Sequence, residues 1–116
     1  MKLPNYEKAF VPKEKITNYL LSLIHRDGCS KARFFMRFGF SAEQWETLTR
    51  ALKFHAGYNE ITKTEISYFG TRYIIEGAIC SPDRRNPSIR SVWFVENGSD
   101  IPCFVTAYPV KGKKND

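Results

Sequence analysis

The sequence predicts an α+β domain in which N-terminal helices pack on a four-stranded antiparallel β-meander. In the first half of the chain, apolar residues recur at spacings of three and four, as they do along one face of an α-helix. From Glu60 onward, apolar and polar residues alternate between turn-forming segments, as they do in half-buried strands. Because the helical pattern ends before the strand pattern begins, an antiparallel sheet with the helices on one face is favoured.

The first two predicted helices are short. Pro12 suits the first position of the first helix, and Gly28 is expected to end it. Ser30 is a good N-cap for the second helix, which Gly39 is expected to end. The apolar stripe of the first helix consists of Ile16, Tyr19, Leu20 and Leu23.

A third helix is expected after the segment from Ser41 to Gln44, which has the pattern of a capping box. Gly57 is expected to end this helix. His55 continues its apolar stripe, so the sequence predicts a buried, hydrogen-bonded histidine near the helix end. The rest of the stripe consists of Trp45, Leu48 and Leu52.

Alternation predicts which strand residues share a face. Arg90, on the third strand, is expected on the face opposite Trp93. On the fourth strand, Phe104, Thr106 and Tyr108 are expected to form one row. The sheet face away from the helices is expected to be partly open, and a ligand would bind there. The four strands are predicted over residues 61–69, 71–79, 88–95 and 103–110.

The chain is long enough for one domain that folds without disulfides or metals. A domain of 116 residues buries roughly 65% of its unfolded surface. Residues 1–110 are expected to form the globular unit, and residues 111–116 a basic, disordered tail. The sequence shows neither a membrane span nor a signal peptide, so a cytoplasmic protein is expected.

The cysteines give no indication of a metal site. The three of them, Cys29, Cys80 and Cys103, are an odd number without a C-x-x-C pair, which favours reduced thiols that pack as small buried side chains. No cluster of carboxylates indicates a magnesium site, and the glycine motifs that bind phosphates or dinucleotides are absent. No metal or cofactor is therefore expected.

The chain is basic, with 18 Lys and Arg against 12 Asp and Glu and a formal net charge of +6. This charge favours a polyanionic partner, either nucleic acid or an acidic protein. Three of the positive charges belong to lysines of the predicted tail, Lys111, Lys113 and Lys114, which could serve solubility alone.

Lys31, His25 and Arg33 are the candidate functional residues near the second helix. Lys31 stands in its first turn, where a cation opposes the helix dipole unless an anion binds there; the alternative is a lysine whose stem covers neighbouring phenylalanines. His25, in the preceding loop, could be a general acid or base or a solvated residue. Arg33 could bind nucleic acid or simply face solvent.

The strands supply Arg72, Arg90, Thr106 and Tyr108 as candidates. Guanidinium, hydroxyl and phenol groups on adjacent strands could hold a phosphate, or they could be ordinary decoration of a sheet face. Arg90 interrupts an apolar strand, so it must pair with an acid, face solvent or bind an anion.

Trp93, Arg84 and Arg85 are candidates for contacts to nucleic acid. Trp93 is expected in the core, unless its ring is exposed and stacks on a base. Arg84 and Arg85 lie on a predicted turn, where the alternative is that they are solvated.

Four motifs span most of the chain: KARFF (31–35), FGTRY (69–73), RSVW (90–93) and VTAYP (105–109). Together they resemble a bacterial family catalogued as a domain of unknown function. More distantly, the order of helices and strands is similar to that of the ribonuclease superfamily that joins barnase, EndoU, colicin D and RelE, whose members are typically toxins with an RNA-cleaving open sheet face. This resemblance implies an active face formed by His25, Lys31, Arg72, Arg90, Thr106 and Tyr108.

Two functional interpretations follow. The first is a small bacterial toxin, a metal-independent endoribonuclease of a toxin–antitoxin type system, held inactive by an acidic antitoxin or immunity protein. Lys31, Arg72 and Arg90 would then stabilise charge on the RNA phosphate, and His25 or Tyr108 would move the proton. The alternative is a non-catalytic binding module for an acidic protein or a nucleic acid.

Overall fold

Helices precede strands along the chain, so the predicted α+β meander is confirmed. The structure is a computed structural model that describes residues 1–110, and the predicted basic tail, 111–116, lies outside them. The sheet is antiparallel throughout, with its four strands in sequence order. None of the described helices is long and apolar enough to cross a membrane.

The elements are as follows. A 3₁₀ turn, Tyr6–Lys8, is followed by α1 (Lys13–Lys15, continued by a π-helical turn, Ile16–Leu20), α2 (Cys29–Arg37) and α3 (Trp45–Tyr58). The strands are β1 (Ile61–Ile66), β2 (Gly70–Ala78), β3 (Ser88–Glu96) and β4 (Cys103–Pro109).

β3 divides its side chains between the two faces of the sheet. Ser91 and Trp93 are fully buried on the helix side. Arg90 lies on the other face, which we call the open face, between its cross-strand partners Glu76 of β2 and Tyr108 of β4. The predicted separation of Arg90 from Trp93 is therefore confirmed.

A β-bulge at Val105 breaks the row predicted on β4. Phe104 and Thr106 pair with consecutive residues of β3, although they are two positions apart in β4. Phe104 therefore turns into the core and packs edge-on against Trp93, with ring centroids 5.4 Å apart. Only Thr106 and Tyr108 remain on the open face, so the predicted three-residue row is wrong.

The first two helices differ from prediction at their ends, and Pro12 is the N-cap of α1 and not its first helical residue. α1 and its π-helical turn end at Leu20, and Leu23, expected in the apolar stripe, is 54% exposed in the following loop. α2 begins at Cys29, so Ser30 lies inside its first turn and does not cap it. Gly39 follows α2 as predicted, with φ 104°, a left-handed backbone that favours glycine.

α3 continues beyond its predicted end. Gly57 lies within the last turn, and a Cβ atom there would collide with the ring of Tyr6. The glycine therefore permits close packing between α3 and the N-terminal 3₁₀ turn instead of ending the helix. At the other end, Ser41 Oγ accepts a hydrogen bond from Gln44 N–H, which is half of the predicted capping box.

His55 is buried and hydrogen-bonded, as predicted. The Gly77 carbonyl can only accept, so His55 Nε2–H donates to it over 3.0 Å, and Nδ1 accepts from the Ser91 hydroxyl over 2.9 Å. Trp93 Nε1–H donates to Ser91 Oγ over 2.9 Å. Burial lowers the pKa of His55, although the hydrogen bond to Gly77 opposes this. We call these four residues the His55 network; it joins α3 to β2 and β3.

The cysteines do not pack as predicted. Cys80 and Cys103 are exposed, Cys29 is half-buried, and all three are free thiols. Within residues 1–110, no group of His, Cys, Asp and Glu side chains is arranged to hold a metal ion.

Candidate functional site

The candidate site is centred on a pair of side chains on the open face. Arg90 and Tyr108 are cross-strand partners, and Arg90 Nε donates to Glu76 Oε1 over 3.0 Å. Of the possibilities predicted for Arg90, pairing with an acid is therefore the one observed. The side chains of Arg90 and Glu76 are still 40% and 36% exposed, and this bond uses one of the five guanidinium N–H donors.

Two clefts meet at Tyr108. The sheet cleft, about 370 Å³, is lined by Thr62, Lys63, Ile74, Glu76, Arg90 and Tyr108. The helix cleft, about 350 Å³, lies between the start of α2 and the end of β4, and is lined by Ser30, Lys31, Tyr108 and Pro109. The phenol of Tyr108 therefore stands between Arg90 in one cleft and Lys31 in the other.

Lys31 supplies the positive charge of the helix cleft. Its Nζ donates to the backbone carbonyl of Asp27 over 3.3 Å and lies 5.8 Å from the centre of the Tyr19 ring. Among the residues that the structure describes, no carboxylate forms an ion pair with it. Its charge is thus available to an anion bound beside Tyr108.

Tyr19 links three of the predicted residues, although the sequence indicated only a place in the apolar stripe. Its hydroxyl forms a 2.8 Å hydrogen bond with Thr106 Oγ1. Its ring packs edge-on against that of His25, with centroids 5.0 Å apart, and also faces Lys31. The signal in the sequence was a tyrosine in an otherwise aliphatic stripe, because a half-buried phenol needs a polar partner.

His25 is oriented by its own loop. Its Nδ1 accepts hydrogen bonds from the backbone N–H groups of Asp27 and Gly28, each over 3.0 Å. In the neutral ring the proton therefore sits on Nε2. A second proton, on Nδ1, would displace both backbone donors. With Nδ1 engaged as an acceptor, Nε2–H is the group that His25 can offer as a hydrogen-bond donor to an anion.

Arg72 lies on the open face but away from both clefts. Its cross-strand partners are Glu65 of β1 and Phe94 of β3. It is four positions along β2 from Glu76, which corresponds to about 13 Å between their Cα atoms. The structure thus leaves Arg72 outside the group it assembles around Tyr19 and Tyr108, which consists of His25, Lys31, Arg90 and Thr106.

The residues predicted to contact nucleic acid do not form one surface. Trp93 is fully buried, so its ring offers no face to a base, and the core interpretation of this residue is confirmed. Arg33, on α2, and Arg84, on the turn between β2 and β3, are both exposed. Neither lines the sheet cleft or the helix cleft.

Arg85 links the turn between β2 and β3 to the end of α2. Its Nε donates to Asp83 Oδ2 over 2.6 Å and its Nη2 to the Arg37 carbonyl over 2.7 Å, while the guanidinium lies 4.4 Å from the centre of the Phe38 ring. Desolvation opposes the change, but hydrogen bonds from Arg85 and Ser81 lower the pKa of Asp83. These contacts give Arg85 a structural role that the sequence did not indicate.

Comparison with known proteins identifies a family and a structural neighbour. The model of a family described as a domain of unknown function (DUF6883) matches residues 2–111. A chain of a contact-dependent growth inhibition toxin–immunity protein complex from Klebsiella pneumoniae 342 is similar in structure, with a TM-score of 0.63 and 21% identity. The match covers 86% of this chain and 98% of that chain, and it shows a shared fold. Among the curated proteins, none matches the sequence.

Proposed function

The chain belongs to the family described as a domain of unknown function (DUF6883), and we propose that it is a small bacterial toxin that cleaves RNA without a metal ion. The observation that carries this proposal is the position of Tyr108 between two cationic clefts. A phosphodiester that crosses Tyr108 would have Lys31 on one side and Arg90 on the other. Fixed cations can stabilise the charge that develops on a phosphate during its transfer.

In the proposed reaction, the ribose 2′-oxygen attacks the adjacent phosphorus while the bond from phosphorus to the 5′-oxygen breaks. The products are a 2′,3′-cyclic phosphate and a free 5′-hydroxyl, and the proton lost by the 2′-oxygen is balanced by the one gained by the 5′-oxygen. Tyr108 takes the proton of the 2′-hydroxyl and passes its own phenolic proton to the leaving 5′-oxygen, so that the phenol is regenerated. Lys31 and Arg90 stabilise the negative charge on the pentacoordinate phosphorus.

Other predicted residues take supporting roles. His25, through Nε2–H, and Thr106, through its hydroxyl, donate hydrogen bonds to the non-bridging phosphate oxygens. Arg72, Arg33 and Arg84 contact phosphates away from the reacting one, where they add affinity without selecting a base.

The proposed regulatory partner is an acidic antitoxin or immunity protein. The structural neighbour comes from a toxin–immunity protein complex, and a net charge of +6 would attract an acidic partner. An acidic protein seated over the two clefts would place carboxylates where RNA phosphates otherwise bind. It would thereby inhibit by competition.

The test is RNA cleavage by the purified chain, freed of any partner, with detection of the 2′,3′-cyclic phosphate. We expect cleavage by the wild type and a loss of rate of about 10²–10⁴ in Lys31→Ala and Tyr108→Phe, as for removal of a charge-stabilising or proton-transferring group. Tyr68→Phe, an exposed tyrosine outside both clefts, is the matched control and should keep full activity. Intact RNA with soluble wild-type protein, together with unaffected bacterial growth on expression, would refute the proposal.

Two observations favour the alternative of a binding module without turnover. Arg90 is already paired with Glu76, and Nδ1 of His25 is occupied by two backbone donors. A binding module predicts RNA or acidic-protein binding that weakens with salt, no cyclic phosphate, and weaker binding in Lys31→Ala and Arg90→Ala. Product formation therefore separates the two functions.

A further inference from the structure

α3 carries a second surface with the chemistry of a nucleic-acid contact, on the helix side of the sheet. The cleft there, about 290 Å³, is formed by the 3₁₀ turn and the outer face of α3, and its lining residues are Tyr6, Glu7, Arg50, Lys53, Phe54 and Tyr58. We call it the α3 aromatic surface. Since α3 packs on β2 and β3 from the side opposite the open face, this surface is separate from the sheet cleft.

Two large aromatic rings lie exposed on this surface. Phe54 and Tyr58, one helical turn apart, stack with ring centroids 4.0 Å apart and planes inclined by 16°. Phe54 is 50% exposed and Tyr58 61% exposed. The pair is therefore a preformed aromatic platform whose outer parts face solvent. Exposed apolar area of this kind contributes nothing to the core and is typical of an interaction site.

The charges beside the platform indicate what would cover it. Arg50 and Lys53 precede Phe54 in α3 and line the same cleft, and neither forms an ion pair with any residue between 1 and 110. Glu7 is the one acidic residue lining the same cleft, so the local balance is positive. Aromatic rings next to unpaired cations are what a nucleic-acid strand requires, because bases stack on the rings while phosphates meet the cations.

We propose that the α3 aromatic surface is a secondary binding site for single-stranded segments of RNA, which stack a base on the platform formed by Phe54 and Tyr58. This inference rests on the proposed function for the identity of the ligand. An RNA that reached both this surface and the clefts would pass around a molecule of 37 × 32 × 25 Å. The second site would therefore favour long or structured RNA over short fragments.

The experiment measures binding of a fluorescein-labelled, unstructured oligonucleotide of about twelve nucleotides. All proteins carry Tyr108→Phe so that cleavage does not interfere. The double substitution Phe54→Ser with Tyr58→Ser should weaken binding roughly tenfold. Arg50→Ser with Lys53→Ser should weaken it and also reduce the slope of affinity against salt concentration. Tyr68→Ser removes a more exposed aromatic ring, at 88% exposure, and should leave the affinity unchanged.

Equal affinities of the Phe54, Tyr58 double variant and the Tyr68→Ser variant would overturn the inference. So would equal binding of a polyglutamate peptide of the same charge, which would assign the surface to an acidic protein. Parallel cleavage assays on the protein with Tyr108 intact distinguish the two proposals. If the double variant binds RNA more weakly but the wild type does not cleave RNA, the binding role of the α3 aromatic surface is supported and the nuclease activity is refuted. Circular dichroism confirms that each variant is folded, and all four substituted α3 positions face solvent or the cleft.

Discussion

β3 presents a polar group on each face of the sheet, and the two differ in how fully their hydrogen bonds are satisfied. On the helix side, Ser91 accepts from Trp93 and donates to His55, and all three residues are at most 1% exposed. On the open face, Arg90 uses one donor toward Glu76 and has Tyr108 at its side, with 40% of its side chain exposed.

The comparison shows that a polar residue in an apolar strand is not by itself a sign of function. Ser91 and Arg90 are neighbours in one motif, yet Ser91 is fully buried and its hydroxyl is engaged by His55 and Trp93, so a ligand cannot reach it. Buried polar groups that are fully paired stabilise a fold, whereas half-exposed groups with unused donors can bind. We therefore assign the proposed chemistry to the open face and the stabilising hydrogen bonds to the helix side.

Ser91→Ala gives the largest expected loss of stability. It leaves Trp93 Nε1–H without its acceptor and His55 Nδ1 without its donor, both inside the core, so the free energy of unfolding should fall by about 2–3 kcal/mol. Urea denaturation measures this change. Ser88→Ala, exposed at the start of the same strand, should change it by less than about 0.5 kcal/mol. Equal losses of stability in the two variants would contradict the view that the hydrogen bonds of the His55 network stabilise the helix side of the sheet.

The pH dependence of stability probes the same network. Because the pKa of His55 is lowered in the folded protein, the unfolded chain binds a proton near the ordinary value of 6.5 that the folded chain does not. The stabilising contribution of neutral His55 is therefore complete above pH 6.5 and declines as the pH falls below it, by up to about 1.4 kcal/mol per pH unit. Urea denaturation between pH 5 and 7.5 should show this decline.

The control is His55→Gln. The difference in free energy of unfolding between wild type and this variant, taken at each pH, cancels the contributions of the other titrating groups. An equal pH slope in both proteins would contradict the assignment. If the glutamine variant does not fold, the ring of His55 can be followed by NMR in the wild type, where the pKa should lie below 6.5 because of burial. A ring that titrates at its ordinary value would equally contradict it.

The fold and the burial of His55 could be predicted because local periodicity determines them. His55 continues the stripe of α3 and is buried for that reason, and the change of period near Glu60 separates helices from strands. The bulge at Val105 could not be predicted, because the residue types of β4 do not indicate where a bulge occurs. The bulge nevertheless turns Phe104 to the other face of the sheet.

The candidate site could be predicted only in part, because its contacts join distant segments. Tyr19 and Thr106 are 87 positions apart, and nothing near either residue indicates that their hydroxyls meet. Alternation predicts that Trp93 and Arg90 lie on opposite faces, but only the cross-strand pairing places Arg90 beside Tyr108 in the sheet cleft. Charge and residue type thus named the candidates, and tertiary contacts selected among them.

Glu76→Gln tests the open face and gives the smallest expected change in stability. The ion pair with Arg90 is more than one third exposed on both sides, so water screens it, and its loss should lower the free energy of unfolding by about 0.5 kcal/mol. Glu65→Gln, on the same face and paired with Lys63, is the matched control and should lower the free energy of unfolding by a similar amount. Urea denaturation measures both. A loss as large as that of Ser91→Ala would mean that Arg90 is held for stability, and its guanidinium would then be a poor candidate for binding phosphate.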